Sequence, residues 1–166
     1  MERIAIRSLE VQNHDLLVEA TLGNLNWCGE RLTREDITDS PEFFRYTRLH
    51  PEHGDFGLVA ERGSSLAGVV WLQFHPATDP GYGFVNEETP ELSIWVRDTE
   101  RGSGFGRMLL RAAILGARKR KLSAVSLSVE SGNPARQLYA SEGFTDVSGR
   151  EADGVMLWTD TVCQQT

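Results

Sequence analysis

The sequence predicts a mixed α/β (α+β) fold, with one mixed sheet covered by helices. Residues 56–62 and 66–74 read as two strands around the turn Gly63-Ser64-Ser65, the pattern of an antiparallel pair. Further along, a strand, a helix and a strand follow one another between residues 90 and 129, which indicates a right-handed parallel crossover. Antiparallel and parallel pairing together predict the mixed sheet, and the length of 166 residues fits a single domain over 1–166.

The elements are expected in the order β-α-α-β-β-β-α-β-α-β-β. Apolar spacing and capping residues predict the helices. They begin near Asn13, at Pro41, at Arg107 and at Asn133-Pro134; the last two run to about Arg120 and to Gly143. Strands are expected at 3–7, 56–62, 66–74, 90–97, 124–129, 144–150 and 155–162.

Composition and charge exclude several classes of function. The net charge of −7 argues against general nucleic-acid binding, which needs a basic face. No run approaches the roughly 20 apolar residues that span a bilayer, and the first ten residues lack a signal-peptide core. Cys28 and Cys163 lie far apart without a CxxC partner, so we expect reduced thiols in a cytoplasmic protein. We expect no metal site. His50 and His53 are spaced for one face of a helix, but Pro51 and Gly54 place them in a loop.

A long polar segment, residues 75–89, is predicted as a loop, and loops of that length are often functional. Between Gln73 and Trp95 there are four acidic residues and no Lys or Arg. Such a stretch attracts a cationic ligand or forms a solvated loop, and charge alone leaves both interpretations open.

Glycines 102, 104 and 106 stand directly before a predicted helix and are flanked by Arg101 and Arg107. A helix N-terminus presents N–H groups and a positive dipole end to an anion, so this turn suits a phosphate or pyrophosphate. The Walker pattern is missing, and the spacing GxGxG differs from the dinucleotide pattern GxGxxG. A purely structural strand-to-helix turn remains the alternative.

The same segment resembles motif A of the GNAT superfamily of N-acetyltransferases, whose signature is Arg/Gln-x-x-Gly-x-Gly/Ala. Arg101, Gly104 and Gly106 match that signature. Two positions depart from the common form: Asp98 replaces a usual proline, and Glu100 replaces a frequent aromatic residue.

A second resemblance lies further along the chain. Residues 128–144, SVESGNPARQLYASEGF, resemble motif B of the same family. The shared residues are Asn133, Ala135, Leu138-Tyr139 and Gly143-Phe144. Together the two motifs imply a GNAT-like central sheet of about six or seven strands, with splayed parallel strands ending near Arg97 and Val129.

The resemblance implies acetyl-CoA as co-substrate and no metal. The pyrophosphate would bind the turn amides and the pantetheine arm the backbone of residues 94–96. The residues so assigned to the cofactor are Ile94, Trp95, Val96, Arg101, Gly102, Ser103, Gly104, Phe105, Gly106, Arg107, Asn133 and Ala135.

Catalysis is assigned to two residues. Tyr139 matches the general acid of the family, and a phenol is protonated at neutral pH. Glu91 stands where several members carry a catalytic glutamate, which makes it the expected base, with Glu88 and Glu87 as alternatives. Packing alone would also explain Tyr139, and N-capping alone would explain Asn133.

The acceptor is expected to be a small-molecule or peptide amine, with a lean toward a small cationic one. Trp27, Tyr82 and Glu88 are the candidate acceptor-binding residues. A homodimer is a further expectation from the family, and neither nucleic acid nor a membrane is expected as a partner. The alternatives are a non-catalytic acyl-CoA-binding sensor of the same fold, a protein or peptide N-acetyltransferase, and another type of nucleotide-binding module.

Overall fold

A computed structural model describes residues 2–162, and the expected thiol of Cys163 lies outside that range. It contains seven strands and five α-helices, joined by loops and short 3-10 turns. The strands are β1 (Ile4–Ser8), β2 (Phe56–Arg62), β3 (Ser65–Gln73), β4 (Glu91–Val96), β5 (Ala124–Ser128), β6 (Thr145–Asp146) and β7 (Val155–Thr159). The helices are α1 (His14–Leu25), α2 (Arg34–Asp39), α3 (Pro41–Phe44), α4 (Phe105–Lys119) and α5 (Ala135–Ser141).

The expected mixed sheet is confirmed. Its strand order is β1-β2-β3-β4-β5-β7-β6. The pairs β1–β2, β2–β3, β5–β7 and β6–β7 are antiparallel, whereas β4 and β5 pair in parallel with Glu91 opposite Ser126. The separation of β4 from β5 beyond this register pair stays a prediction.

Several boundaries differ from the sequence-based expectation. Helix α4 begins at Phe105, two residues before Arg107, so Gly106 is helical. Helix α5 begins at Ala135 and ends at Ser141, short of Gly143. The last two strands are shorter than expected. Strand β6 ends at Asp146, ahead of a turn with positive φ at Gly149, and β7 begins at Val155 as expected but ends at Thr159.

Helix α2 was not expected from the apolar pattern. It is short and buries Ile37, and its start is fixed by Thr33. The Thr33 hydroxyl accepts from the Asp36 N–H at 3.3 Å, and the Asp36 carboxylate accepts from the Thr33 N–H at 2.7 Å. This reciprocal capping box stabilises a helix too short to show a periodic apolar face.

The described residues form two compact units. The first comprises residues 2–73 and 93–113. Its core is formed by side chains from the sheet and α1: Leu9, Leu17, Ala20, Leu49, Val59, Val69, Trp71 and Trp95. Gly23 of α1 lets the Trp95 ring approach the helix backbone, since a Cβ at that position would collide with the ring.

The second unit comprises residues 74–92 and 114–162. It contains β5, β6, β7 and α5, together with the segment 74–90, which forms neither helix nor strand, as expected. Val125, Leu127, Val155 and Met156 are buried on the paired strands β5 and β7. Within residues 2–162, no helix has the length and apolar character needed to cross a membrane.

Candidate functional site

The glycine-rich turn of the first unit is held at the end of β4 by contacts with β2 and β3. The Arg97 N–H donates to the Ala67 carbonyl at 2.9 Å. Arg62 Nη2 lies 3.0 Å from Glu100 Oε2, and the Arg62 guanidinium stacks over the Phe105 ring at 5.1 Å. Glu100, which departs from the common form of the family motif, is therefore the residue that ties the turn to β2.

The turn itself is open. Gly102 and Gly104 have φ of +77° and +88°, a backbone region that side-chain-bearing residues rarely adopt. A Cβ on either glycine would meet no atom within 4 Å. Helix α4 follows directly, and the first four N–H groups of a helix have no intrahelical acceptor. The turn thus combines an exposed backbone with hydrogen-bond donors, the combination that binds phosphate groups.

The side chains of three expected cofactor residues are engaged within the first unit. Arg101 Nη2 lies 3.1 Å from Asp98 Oδ1 in an exposed ion pair. Phe105 and Trp95 are buried in the core at 1% and 8% exposure. Phe105 and Trp95 therefore have only their backbone groups to offer a cofactor, whereas an exposed ion pair such as that of Arg101 exchanges at little cost.

The Glu91 carboxylate is buried in the second unit. Glu91 is 4% exposed at the start of β4. The Gly83 N–H donates to Glu91 Oε1 at 3.0 Å, and His75 Nε2 lies 3.6 Å from Glu91 Oε2. A buried carboxylate needs such partners, because burial penalises its charged form. The structure therefore places a polar cluster of Glu91, His75 and Gly83 beside β5.

Arg150 holds the same loop from the other side. Its Nη1 donates to the Phe84 carbonyl at 3.0 Å and its Nη2 to the Tyr82 carbonyl at 3.4 Å. Its Nε also donates to Asp153 Oδ2 at 2.8 Å. Arg150 therefore joins the long loop to the turn that precedes β7.

Tyr139 lies on α5 and is buried against Phe144, with the ring centroids 6.1 Å apart. Burial raises the pKa of Tyr139 to about 12. Asn133 Oδ1 accepts from the Ala135 N–H at 3.0 Å, at the first residue of α5, whose N-cap position is Pro134. The packing considered for Tyr139 is thus present, and Asn133 bonds the start of α5 from the residue before the N-cap.

The candidate acceptor residues differ in their surroundings. Tyr82 is 44% exposed, and Glu88 is exposed on the same loop as His75. Glu87 Oε1, by contrast, accepts from the Ala77 N–H at 2.8 Å. Trp27 is half-buried in the turn after α1, in the first unit. The role of these residues in binding an acceptor stays a prediction.

Comparison with known proteins decides the family. A model of the acetyltransferase (GNAT) family matches residues 20–144, which include the glycine-rich turn, Glu91 and Tyr139. The chain belongs to the GNAT family. The resemblance read from the two sequence motifs is thereby confirmed.

Two relatives and one solved structure illustrate this membership. The mycothiol acetyltransferase of Thermobispora bispora is 36% identical over 115 residues, which cover 58% of this GNAT chain and 38% of the relative. The L-methionine sulfoximine/L-methionine sulfone acetyltransferase of Pseudomonas paraeruginosa is 43% identical over 63 residues, covering 37% of this chain and 36% of the relative. The chain thus spans well under half the length of the curated relatives it matches.

The PaiA N-acetyltransferase of Thermoplasma acidophilum, solved in complex with coenzyme A, has the same fold. It superimposes with a TM-score of 0.68 at 18% identity, over 95% of this GNAT chain and 99% of that protein. At this identity the likeness is one of fold.

Sequence reasoning missed three residues of this GNAT chain that shape the candidate site. Arg62 and Arg150 act across more than 35 residues of sequence, and no local pattern marks them. His75 had a weak signal, since it is a histidine placed two residues after an apolar strand at the start of the long loop. Its neighbour Glu91 is 16 residues away and becomes its partner only through the fold.

The first unit also carries a histidine cluster. His50, Glu52 and His53 present ligand-type atoms within 4.8 Å of one another, and the two rings stack at 5.2 Å. His50 Nδ1 lies 3.0 Å from Glu52 Oε1. The expected absence of a metal stays a prediction for this GNAT chain.

Proposed function

We propose that this chain is an acetyl-CoA-dependent N-acetyltransferase that moves an acetyl group to a primary amine by direct attack in a ternary complex. The observation that carries the proposal is the open turn at Gly102 and Gly104 ahead of α4, within the matched family segment. Its backbone donors and helix N-terminus suit the pyrophosphate of coenzyme A. The CoA complex of the structural neighbour supports the same co-substrate.

The remaining cofactor contacts are proposed through backbone and polar groups. The peptide groups of Ile94, Trp95 and Val96 on β4 are assigned to the pantetheine arm. A peptide N–H there also polarises the thioester carbonyl. Asn133 Oδ1 already accepts a hydrogen bond from the Ala135 N–H, so the Nδ2 group of Asn133 is assigned to the cofactor arm.

Two residues are assigned to proton transfer. The Glu91 carboxylate takes one proton from the ammonium form of the acceptor, and the neutral nitrogen attacks the thioester carbon. As the C–S bond breaks, the Tyr139 hydroxyl donates to the leaving sulfur, and the resulting phenolate recovers the second proton of the nitrogen. One proton per turnover therefore passes through Glu91 to water.

The acceptor is proposed to be a small cationic amine. Asp79, Glu87 and Glu88 give the loop 74–90 a negative charge, and the loop itself contains no Lys or Arg. Arg150 is a neighbouring cation, which contacts the Tyr82 and Phe84 carbonyls. The two relatives are named for acetylation of small molecules. Since this chain covers little more than a third of either relative, neither named substrate is carried over.

Calorimetric titration with CoA and acetyl-CoA, with ATP and NAD as controls, tests the cofactor. We expect micromolar binding of both CoA forms and no comparable binding of the controls. A folded protein that fails to bind CoA, or that prefers ATP or NAD, would contradict the proposal.

A screen of amines follows for a protein that binds CoA. Release of free thiol from acetyl-CoA is measured with polyamines, amino acids and peptides. Turnover with cationic small amines is the expected result. Binding of acetyl-CoA without turnover on any amine would instead identify a non-catalytic sensor domain.

A further inference from the structure

A buried imidazole stands beside the proposed base. His75 follows β3 by two residues and is 8% exposed, while Glu91 is 4% exposed. His75 Nε2 lies 3.6 Å from Glu91 Oε2. Both residues belong to the second unit. Histidine and glutamate are seldom buried together without a specific reason, since each is costly to bury in its charged form.

The other carboxylate oxygen is fixed by backbone. Gly83 donates its N–H to Glu91 Oε1 at 3.0 Å. Gly83 is itself pressed against β5, because a Cβ there would lie 2.7 Å from the carbonyl carbon of Leu127. With one oxygen held by an immobile peptide group, the carboxylate is oriented so that Oε2 faces His75.

The polar cluster continues onto β5. Ser126 is the register partner of Glu91 in the parallel pair, so the two side chains point to the same face of the sheet. Ser126 is fully buried, and among residues 2–162 its Oγ has no hydrogen-bond partner. Buried hydroxyls are normally hydrogen-bonded to protein or water. Beside Glu91, this face of the sheet therefore carries a second buried polar side chain.

We propose that His75 is a positioning residue for Glu91: it fixes the orientation of the carboxylate and takes over the proton that the carboxylate removes. The inference rests on the proposed acetyl transfer. The proton leaves the ammonium nitrogen for the Glu91 carboxylate and passes from its Oε2 to His75 Nε2, which restores the carboxylate. His75 then releases the proton to water, so no charge accumulates over a turnover.

The pair titrates as a unit in this scheme. A carboxylate and an imidazole this close stabilise each other's charged forms, so their protonation states are coupled. Glu91 of β4 lies in ion-pair contact with His75, and its register partner on β5 is the neutral Ser126. The rate should therefore fall at low pH when both members of the pair carry protons.

The kinetic test compares His75→Gln and Glu91→Gln with wild type. Glutamine keeps a hydrogen-bond donor near Glu91 but cannot accept the proton. We expect kcat to fall about 100-fold or more in Glu91→Gln and about tenfold or more in His75→Gln, with CoA affinity unchanged in both. In His75→Gln the acid limb of the kcat/KM profile should also move. The matched control is His53→Gln, an exposed histidine of the first unit, for which no change is expected.

A second measurement does not depend on turnover or on the folding of a His75 variant. The imidazole of His75 is titrated by NMR in wild type and in Glu91→Gln. Because a nearby carboxylate favours the imidazolium, the His75 midpoint should fall by about one pH unit or more in Glu91→Gln.

The outcomes separate the two levels of the inference. Wild-type kcat and pH profile in His75→Gln, or an unchanged His75 midpoint in Glu91→Gln, would overturn the role of His75 in an active acetyltransferase. A wild-type protein that acetylates no amine would overturn the proposed function, and with it this role.

Discussion

Tyr139 shows how burial shapes a proton donor at the scale of one residue. Its pKa of about 12 lies above the usual value near 10 because the phenolate is costly to bury. The hydroxyl therefore stays protonated at every pH at which an amine acetyltransferase works. The unfolded chain ionises first, so the tyrosine lowers the free energy of unfolding only as the pH rises from about 10 toward 12, and not below.

Replacing Tyr139 by Phe tests its role as acid. We expect kcat to fall about 100-fold with little change in CoA affinity, because the ring still packs against Phe144. Since the hydroxyl does not ionise below pH 10, the ratio of wild-type to variant kcat should stay constant between pH 7 and pH 9. The measurement is steady-state kinetics over that range.

Tyr46→Phe is the matched control, because Tyr46 is equally buried but lies in the first unit. An unchanged kcat in Tyr139→Phe would leave that residue with packing as its only role. A similar loss in both variants would indicate a general effect on the fold.

At the scale of one element, the turn before α4 depends on Gly102 and Gly104, which leave free space beside its backbone. Gly104→Val adds a branched side chain where no protein atom lies within 4 Å, in the space assigned to the pyrophosphate. We expect CoA to bind at least about tenfold more weakly, which corresponds to about 1.4 kcal/mol. Calorimetric titration of the folded variant gives the change in Kd.

Gly149→Val separates this crowding from backbone strain. Gly149 has φ of +82°, close to the +88° of Gly104, and a Cβ there also meets no atom within 4 Å. Both variants should therefore lose similar stability, measured as Tm, while only Gly104→Val loses CoA affinity. Equal affinities would place the cofactor elsewhere.

At the scale of the whole molecule, two elements contribute residues to both compact units. Strand β4 and helix α4 each begin in one unit and end in the other. A strand or a helix usually unfolds as a whole. We therefore expect thermal unfolding to be a single cooperative transition, as for one domain over 1–166.

The check is calorimetry together with far-UV circular dichroism and tryptophan fluorescence. Coincident transitions with equal calorimetric and van't Hoff enthalpies are the expected result. Two resolved transitions would contradict the single-domain expectation.

Local patterns were enough to predict most of the fold. Two apolar runs on either side of the turn Gly63-Ser64-Ser65 gave β2 and β3, and the glycines with the following amphipathic segment gave the turn and α4 to within two residues. Helix α2 was missed because its six residues are too few to show an apolar periodicity. The turn at Arg101–Arg107 was predicted because its motif is contiguous, and its role in binding a cofactor stays a prediction. The contact of His75 with Glu91 was missed because the two partners are remote in sequence.

Arg150 grips the loop 74–90 by the carbonyls of Tyr82 and Phe84. Every residue type has the same backbone carbonyl, so these two hydrogen bonds do not depend on which side chains stand at positions 82 and 84. Substitutions at positions 82 and 84 therefore leave the hydrogen bonds from Arg150 to the loop in place. The side chains at these two positions can change under selection for a different acceptor. The backbone conformation of the loop and its specificity for an acceptor can therefore evolve separately.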